Sequence, residues 1–152
     1  MAEAPGYSAT PLWKKLGLKP GGRLMLAGAP RGWSAGKLPE GAREDRAKPA
    51  RPQTPAPERA GAPTDVTIAF VGSRDELAGA IKPLAGRIFP EGALWIAWPR
   101  RAGGHESDIR EQDIRDLALP LGIVDVKVAA IDEDWSGLRL VWRKERRKSR
   151  PG

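Results

Sequence analysis

Residues 66–98 read VTIAFVGSRDELAGAIKPLAGRIFPEGALWIAW, and this stretch decides the fold. Two apolar runs, at 66–71 and 93–98, flank a segment whose apolar residues recur at helical spacing. Ser73 followed three residues later by Glu76 is the pattern of a capping box, which predicts the start of that helix. Strand–helix–strand units join parallel strands through a right-handed crossover. The stretch therefore predicts part of a parallel sheet.

Apolar runs on either side extend this sheet. Residues 23–29 form one such run, ended by Pro30, and they predict a first strand buried on both faces. A helix predicted over 108–119 precedes two runs of alternating polarity, 124–131 and 137–144, whose short connection predicts an antiparallel hairpin. The predicted class is α/β, with an open, mostly parallel Rossmann-like sheet of about five strands and a C-terminal antiparallel hairpin.

The domain organisation follows from length and composition. With 152 residues the chain is long enough for one domain, which we predict over residues 6–144. Residues 42–63 read AREDRAKPARPQTPAPERAGAP and show no apolar periodicity, so they are predicted to be a disordered insertion. Residues 145–152 are predicted to be a disordered basic tail.

The positive charge of the chain is concentrated near its end. The formal net charge is +7, and residues 143–150 hold six Lys/Arg against one Glu, a net of +5. The predicted domain is thus nearly neutral, which argues against a basic binding face. The tail predicts weak, non-specific contact with a polyanion. The alternative is that it only keeps the protein in solution.

The chain contains no cysteine. This excludes disulfides, a cysteine nucleophile and cysteine-ligated metals, and it fits a reducing compartment. The N-terminal residues MAEAPGYSA show no cationic, apolar leader, and no segment has the length of apolar sequence that a membrane span needs. We therefore expect a cytoplasmic protein without a membrane span.

Polar and aromatic residues directly follow the predicted strands. Because ligands of open α/β sheets bind at the carboxyl ends of the strands, these residues predict a binding rim. A small anionic ligand or a protein partner is the predicted occupant. The candidate residues are Ser73, Arg74, Trp98, Arg100, Arg101, Asp132, Trp135 and Ser136.

Each candidate also has a purely structural interpretation. Ser73 and Arg74 open a helix whose free amides suit an anion, yet Ser73 is also an ordinary cap. Arg100 and Arg101 offer fork-shaped donors, or are simply solvated. Trp135 suits stacking on a ligand, or covers the core of the sheet.

No catalytic constellation is predicted. His105 is the only histidine and lies in a glycine-rich loop, where it suits a general base or is merely exposed. The carboxylates at 132–134 lack the glycine-spaced pattern of a calcium loop, so no metal site is predicted. The sequence also predicts no bound cofactor, and it favours a protein that is not an enzyme without deciding the question.

Three segments resemble a bacterial family, a domain of unknown function. They are GYSATPLWKKLGLKPGGRL at 6–24, ALWIAWPRR at 93–101 and LPLGIVDVKVAAIDEDWSGLRLVWRK at 119–144. The most distinctive motif is Asp-x-Asp-Trp-Ser-Gly-Leu-Arg-Leu at 132–140. This resemblance implies a fold and no activity.

The order of the predicted elements also resembles that of S-adenosylmethionine-dependent methyltransferases. Such a fold implies a glycine-rich loop after the first strand and an acidic residue after the next strand, which holds the cofactor ribose. This chain instead has Gly28-Ala29-Pro30-Arg31-Gly32, where Pro30 removes an amide donor, and the acidic residue has no counterpart.

Three functional hypotheses remain open at this point. The first is a non-catalytic binding or interaction module with a methyltransferase-like fold. The second is a diverged S-adenosylmethionine-dependent methyltransferase, and the third is a nucleic-acid accessory protein that acts through its basic tail.

Overall fold

A computed structural model describes residues 11–47, 64–89, 91–101, 104 and 107–146. Short 3-10 turns at Leu119–Leu121 and Lys144–Arg146 follow the last helix and the last strand. The helices and strands, in chain order, are α1 (Leu12–Leu16), β1 (Arg23–Ala27), β2 (Arg43–Ala47), β3 (Val66–Phe70), α2 (Arg74–Arg87), β4 (Ala93–Pro99), α3 (Glu111–Ala118), β5 (Ile123–Ala130) and β6 (Trp135–Trp142).

The strands form one mixed sheet. Their order across the described sheet is β2-β1-β3-β4-β6-β5. The first four are parallel to one another, whereas β6 is antiparallel to both β4 and β5. This confirms the predicted α/β class, the mostly parallel sheet and the C-terminal antiparallel hairpin.

The predicted start of the insertion at 42–63 is too early in the chain, because its first residues form a strand. Residues Arg43–Ala47 form β2, an edge strand paired in parallel with β1. The strand lacks an apolar pattern because it lies largely in solvent, and polar bonds hold it instead: the Arg23 guanidinium donates to Asp45 at 2.9 Å. The sheet therefore has one more strand than expected. Residues 48–63 lie outside the described part of the chain.

The predicted start of the tail, at residue 145, is also too early in the chain. Glu145 and Arg146 belong to a 3-10 turn, whose start is held by the Arg143 amide donating to the Gly122 carbonyl at 3.0 Å. Arg146 also packs on Gly122, where a Cβ would lie 3.2 Å from its side chain. The last turn therefore belongs to the folded domain.

Two apolar layers cover the two faces of the sheet. Helices α2 and α3 pack on one face, where Leu84, Leu94 and Leu140 are buried together. The short helix α1 and the segment 28–42 cover the other face, where Leu26 and Trp95 are buried. The strands β1, β3 and β4 are buried on both faces, as their continuous apolar runs predict. Among the described helices, none has the length and apolar character needed to cross a membrane.

Candidate functional site

The loops that carry the predicted site converge on one edge of the sheet. Strands β1, β3 and β4 are parallel, so their carboxyl ends lie on the same side. Strand β6 runs the opposite way and begins at that edge, because Trp135 pairs with Pro99 at the end of β4. The connection between β5 and β6 therefore lies on the same side of the sheet as the loops that follow β1, β3 and β4.

Strand geometry divides the predicted site into two groups. Ser136 pairs with Trp98, while its neighbour Trp135 pairs with Pro99. Successive residues of a strand point to opposite faces of the sheet. Trp98 accordingly packs with the layer under α2 and α3, and Trp135 packs with the layer under α1.

The first group lines a hollow between β4 and α3, which we call the Trp98 hollow. It consists of two adjoining depressions of about 290 and 300 Å³ that share the ring of Trp98. A volume of this size is at the lower limit for a small-molecule site. The lining residues are Trp98, Pro99, Arg100, Arg101, Ile109, Arg110, Glu111 and Ser136.

Arginines dominate the charge of the Trp98 hollow. Three of them, Arg100, Arg101 and Arg110, are among its lining residues. Arg100 is held at its backbone, where its amide donates to the Asp134 carbonyl at 2.8 Å, and its guanidinium reaches the Asp132 carbonyl at 3.4 Å. Arg101 is exposed to solvent. The arrangement presents cationic donors beside an aromatic ring, which suits an anion with an apolar part.

Glu111, which among the described residues is the one carboxylate lining the Trp98 hollow, already has a cationic partner. Arg115 donates to Glu111 at 2.9 Å and to Asp125 of β5 at 3.0 Å. The hydrogen bond that Arg115 donates to Asp125, and then the one that it donates to Glu111, raise the pKa of its guanidinium. Arg115 is shared with Asp125, so these three residues together carry one negative charge, against the three positive charges of Arg100, Arg101 and Arg110.

The second group is an aromatic cluster on the opposite face, made of Trp33, Phe70 and Trp135. Phe70 lies between the two tryptophans, with ring centroids 4.8 Å from Trp33 and 5.0 Å from Trp135, both edge to face. Phe70 ends β3 and is buried. Trp135, predicted to line the binding rim, thus serves the packing of the sheet in this structure.

Asp132 holds the aromatic cluster in place. One carboxylate oxygen, Oδ2, accepts the indole N–H of Trp33 at 2.9 Å. The other, Oδ1, accepts the backbone amides of Asp134 and Trp135 at 2.8 and 2.9 Å. Both oxygens of Asp132 are therefore engaged within the chain. In the residues that the structure describes, no group of three or more potential ligands suits a metal ion.

Ser73 and Arg74 do not line the Trp98 hollow. The Ser73 hydroxyl accepts the amide of Glu76 at 3.2 Å, which confirms the predicted helix cap. Arg74 is tied to the loop before α3, because its amide donates to the Asp108 carboxylate at 3.2 Å and its Nε to the Asp108 carbonyl at 3.0 Å. Both residues stabilise the start of α2.

Sequence reasoning missed several residues of the site. Trp33 directly follows the stretch Gly28 to Gly32 after β1, and its aromatic character was the signal that could have pointed to it. Ile109, Arg110 and Glu111 come from the start of α3, which only packing brings to Trp98. His105 lies outside the described residues.

The fold implies a cofactor position after β1, and the residues there do not fit S-adenosylmethionine. Pro30 has no amide, and the Gly28 amide is already bonded to the Ala47 carbonyl of β2 at 2.8 Å. At the end of β2 the sequence from 46 to 57 contains no carboxylate that would hold a ribose. Two amide donors of this loop, at Gly28 and at position 30, and an acidic residue directly after β2 are therefore not available to such a cofactor.

Comparisons with known proteins agree on the fold alone. No protein-family model and no curated protein matches the chain, so the resemblance to a bacterial family of unknown function stays a prediction. Magnesium protoporphyrin IX methyltransferase from Synechocystis PCC 6803, solved with bound SAM, is similar at 13% identity with a TM-score of 0.54, over 82% of this chain and 71% of that one. A SAM-dependent methyltransferase from Aquifex aeolicus is also similar, at 13% identity with a TM-score of 0.54. The match covers 85% of this chain and 86% of that one. The chain has the fold of SAM-dependent methyltransferases.

Proposed function

We propose that the chain is a diverged relative of SAM-dependent methyltransferases that binds a small anionic ligand in the Trp98 hollow. The observation that carries this proposal is that Trp98 and Arg101 line both depressions, with Arg110 added in one and Arg100 in the other. Three arginines outnumber Glu111 in the described lining, so the local charge favours an anion. A bound carboxylate or phosphate would accept charge-assisted hydrogen bonds from the guanidinium groups, and the ring of Trp98 would cover its apolar part.

Binding of simple anions tests the proposal. Inorganic phosphate, citrate and AMP are titrated separately into the full chain by calorimetry, and at least one is expected to bind with a Kd below about 1 mM. Arg101→Ser is expected to weaken that binding about tenfold, because a charge-assisted hydrogen bond is lost. Arg101 is exposed, so its replacement leaves the core intact.

Arg143→Ser is the matched control. It removes the same charge at the opposite ends of the strands, just after the end of β6, and should leave anion binding unchanged. The proposal is wrong if none of the three anions binds, or if Arg101→Ser binds as tightly as the parent chain.

A diverged methyltransferase that still uses its cofactor is the second candidate. The methyltransferases among the solved structures favour it over a module with no chemistry. A saturable rise in melting temperature with S-adenosylmethionine would support it, because a ligand that binds only the native state stabilises that state. Loss of this rise in Arg101→Ser would assign the cofactor to the Trp98 hollow. A reducing, cytoplasmic compartment remains a prediction from the absence of cysteine.

A further inference from the structure

The order of the strands creates a crevice between β1 and β3. After β1 the chain crosses to β2 on one side, and after β2 it crosses back to β3 on the other side. Ligands of open α/β sheets bind at such a reversal, outside the carboxyl ends of the strands. The Trp98 hollow lies elsewhere, between β4 and α3.

Trp33 occupies this reversal in the present chain. Its ring lies against Phe70 at the carboxyl end of β3, with centroids 4.8 Å apart. Its indole N–H donates to the Asp132 carboxylate at 2.9 Å, which links two loops that are 99 residues apart in sequence. The loop after β1 is thereby joined to the loop before β6 across the mouth of the crevice.

We infer that Trp33 and Asp132 form a latch that closes this crevice, and that the chain does not bind S-adenosylmethionine at the carboxyl end of β1. The latch takes the space that the fold offers to a ligand. The loop beneath it offers fewer donors to a cofactor, because the Gly28 amide is bonded to β2 and Pro30 has no amide.

Both halves of the latch are held by further bonds. The carbonyl of Trp33 accepts Nη2 of Arg46 at 2.8 Å, and its amide donates to the Pro30 carbonyl at 3.0 Å. Asp132 accepts the amides of Asp134 and Trp135 through its second oxygen. Each half of the latch is therefore fixed in its own loop, and opening the crevice would break the bond between Trp33 and Asp132 and the contact of Trp33 with Phe70.

A double-mutant cycle tests the latch itself. Trp33→Phe keeps a ring against Phe70 and removes the indole donor, while Asp132→Asn keeps a single acceptor oxygen for three donors. Each variant of the full chain is expected to lower the melting temperature by about 3–6 °C. The melting temperature of the double variant should fall by clearly less than the sum of the two single decreases, because both substitutions remove the same bond. Additive losses would overturn the latch.

Titration with S-adenosylmethionine tests the closure. The melting temperature of the parent chain is expected to stay constant, or to rise only in a way that Arg101→Ser abolishes, since binding would then be in the Trp98 hollow. A saturable rise that persists in Arg101→Ser overturns the inference. Failure of all simple anions to bind would overturn the proposed function and leave the latch untouched, so the two results are distinguishable.

Discussion

Gly137 shows how a single residue sets the packing of the sheet. A Cβ added there would lie 2.8 Å from Cδ1 of Ile131 and 2.9 Å from a ring carbon of Trp95. Trp95 is fully buried, and its indole N–H donates to the Leu16 carbonyl at 3.1 Å. The absence of a side chain at Gly137 of β6 therefore leaves room for Trp95, the fully buried tryptophan of β4.

We expect Gly137→Ala to destabilise the domain by about 1–3 kcal/mol, because the buried Trp95 ring has no free space to move into. Urea unfolding followed by circular dichroism measures the change. The control is Gly86→Ala in α2, where a Cβ meets no atom within 4 Å and the helix should gain about 0.5 kcal/mol. Equal stabilities of the two variants would contradict this account.

At the level of elements, the two edge strands are protected in different ways. Strand β2 carries charged residues, and two of them, Arg46 and Glu44, form an ion pair at 3.0 Å. Strand β5 is interrupted by a register shift between Asp125 and Lys127. The shift ends the simple alternation expected over 124–131, and it leaves Val126 and Val128 about half exposed. Charges and bulges are established ways to discourage pairing with another chain.

Helix α2 depends on its cap. The Ser73 hydroxyl accepts the Glu76 amide, and the Glu76 carboxylate in turn accepts the Gly72 amide at 2.7 Å. We expect Ser73→Ala to cost about 1 kcal/mol, since one amide of the first turn loses its acceptor. Thermal unfolding measures the loss.

Ser73→Thr keeps the acceptor oxygen and should retain most of the stability. Both variants should bind anions as the parent chain does, because Ser73 lies outside the Trp98 hollow. Weaker anion binding in Ser73→Ala would show instead that Ser73 belongs to the binding rim, as its position after β3 predicts.

At the level of the whole molecule, part of the positive charge lies at the C-terminal end of the given sequence, beyond the last strand. Residues 147–152 carry three of the cations and no acid, so their removal changes the net charge from +7 to +4. Arg146, the last residue that the structure describes, packs on Gly122. Removing residues 147–152 tests the third functional hypothesis, a nucleic-acid accessory role of the tail, and keeps every residue that the structure describes.

Deletion of residues 147–152 should leave the melting temperature unchanged and weaken binding to double-stranded DNA. If the tail binds polyanions, log K of binding should fall less steeply with log salt concentration. The magnitude of this negative slope should decrease by up to about 0.9 for each phosphate that the shortened chain no longer neutralises. Fluorescence anisotropy at several salt concentrations measures the slope. An unchanged slope would exclude the tail as the binding element.

The sequence by itself determined the α/β class, the buried strands, the capped helix α2 and the final hairpin. These features depend on local periodicity and capping, which the chain carries wherever the elements finally pack. The strand β2 escaped prediction because an edge strand in solvent needs no apolar pattern, only a neighbour that offers backbone partners.

Tertiary structure alone decided how the candidate site is divided. The sequence placed Trp135 and Ser136 together, but the pairing of β6 with β4 sends them to opposite faces of the sheet. It also placed Asp132 on the rim without revealing that Trp33 bonds to it from 99 residues away. Alternation along a strand is visible in sequence, whereas the identity of the neighbour across the sheet depends on the complete chain fold.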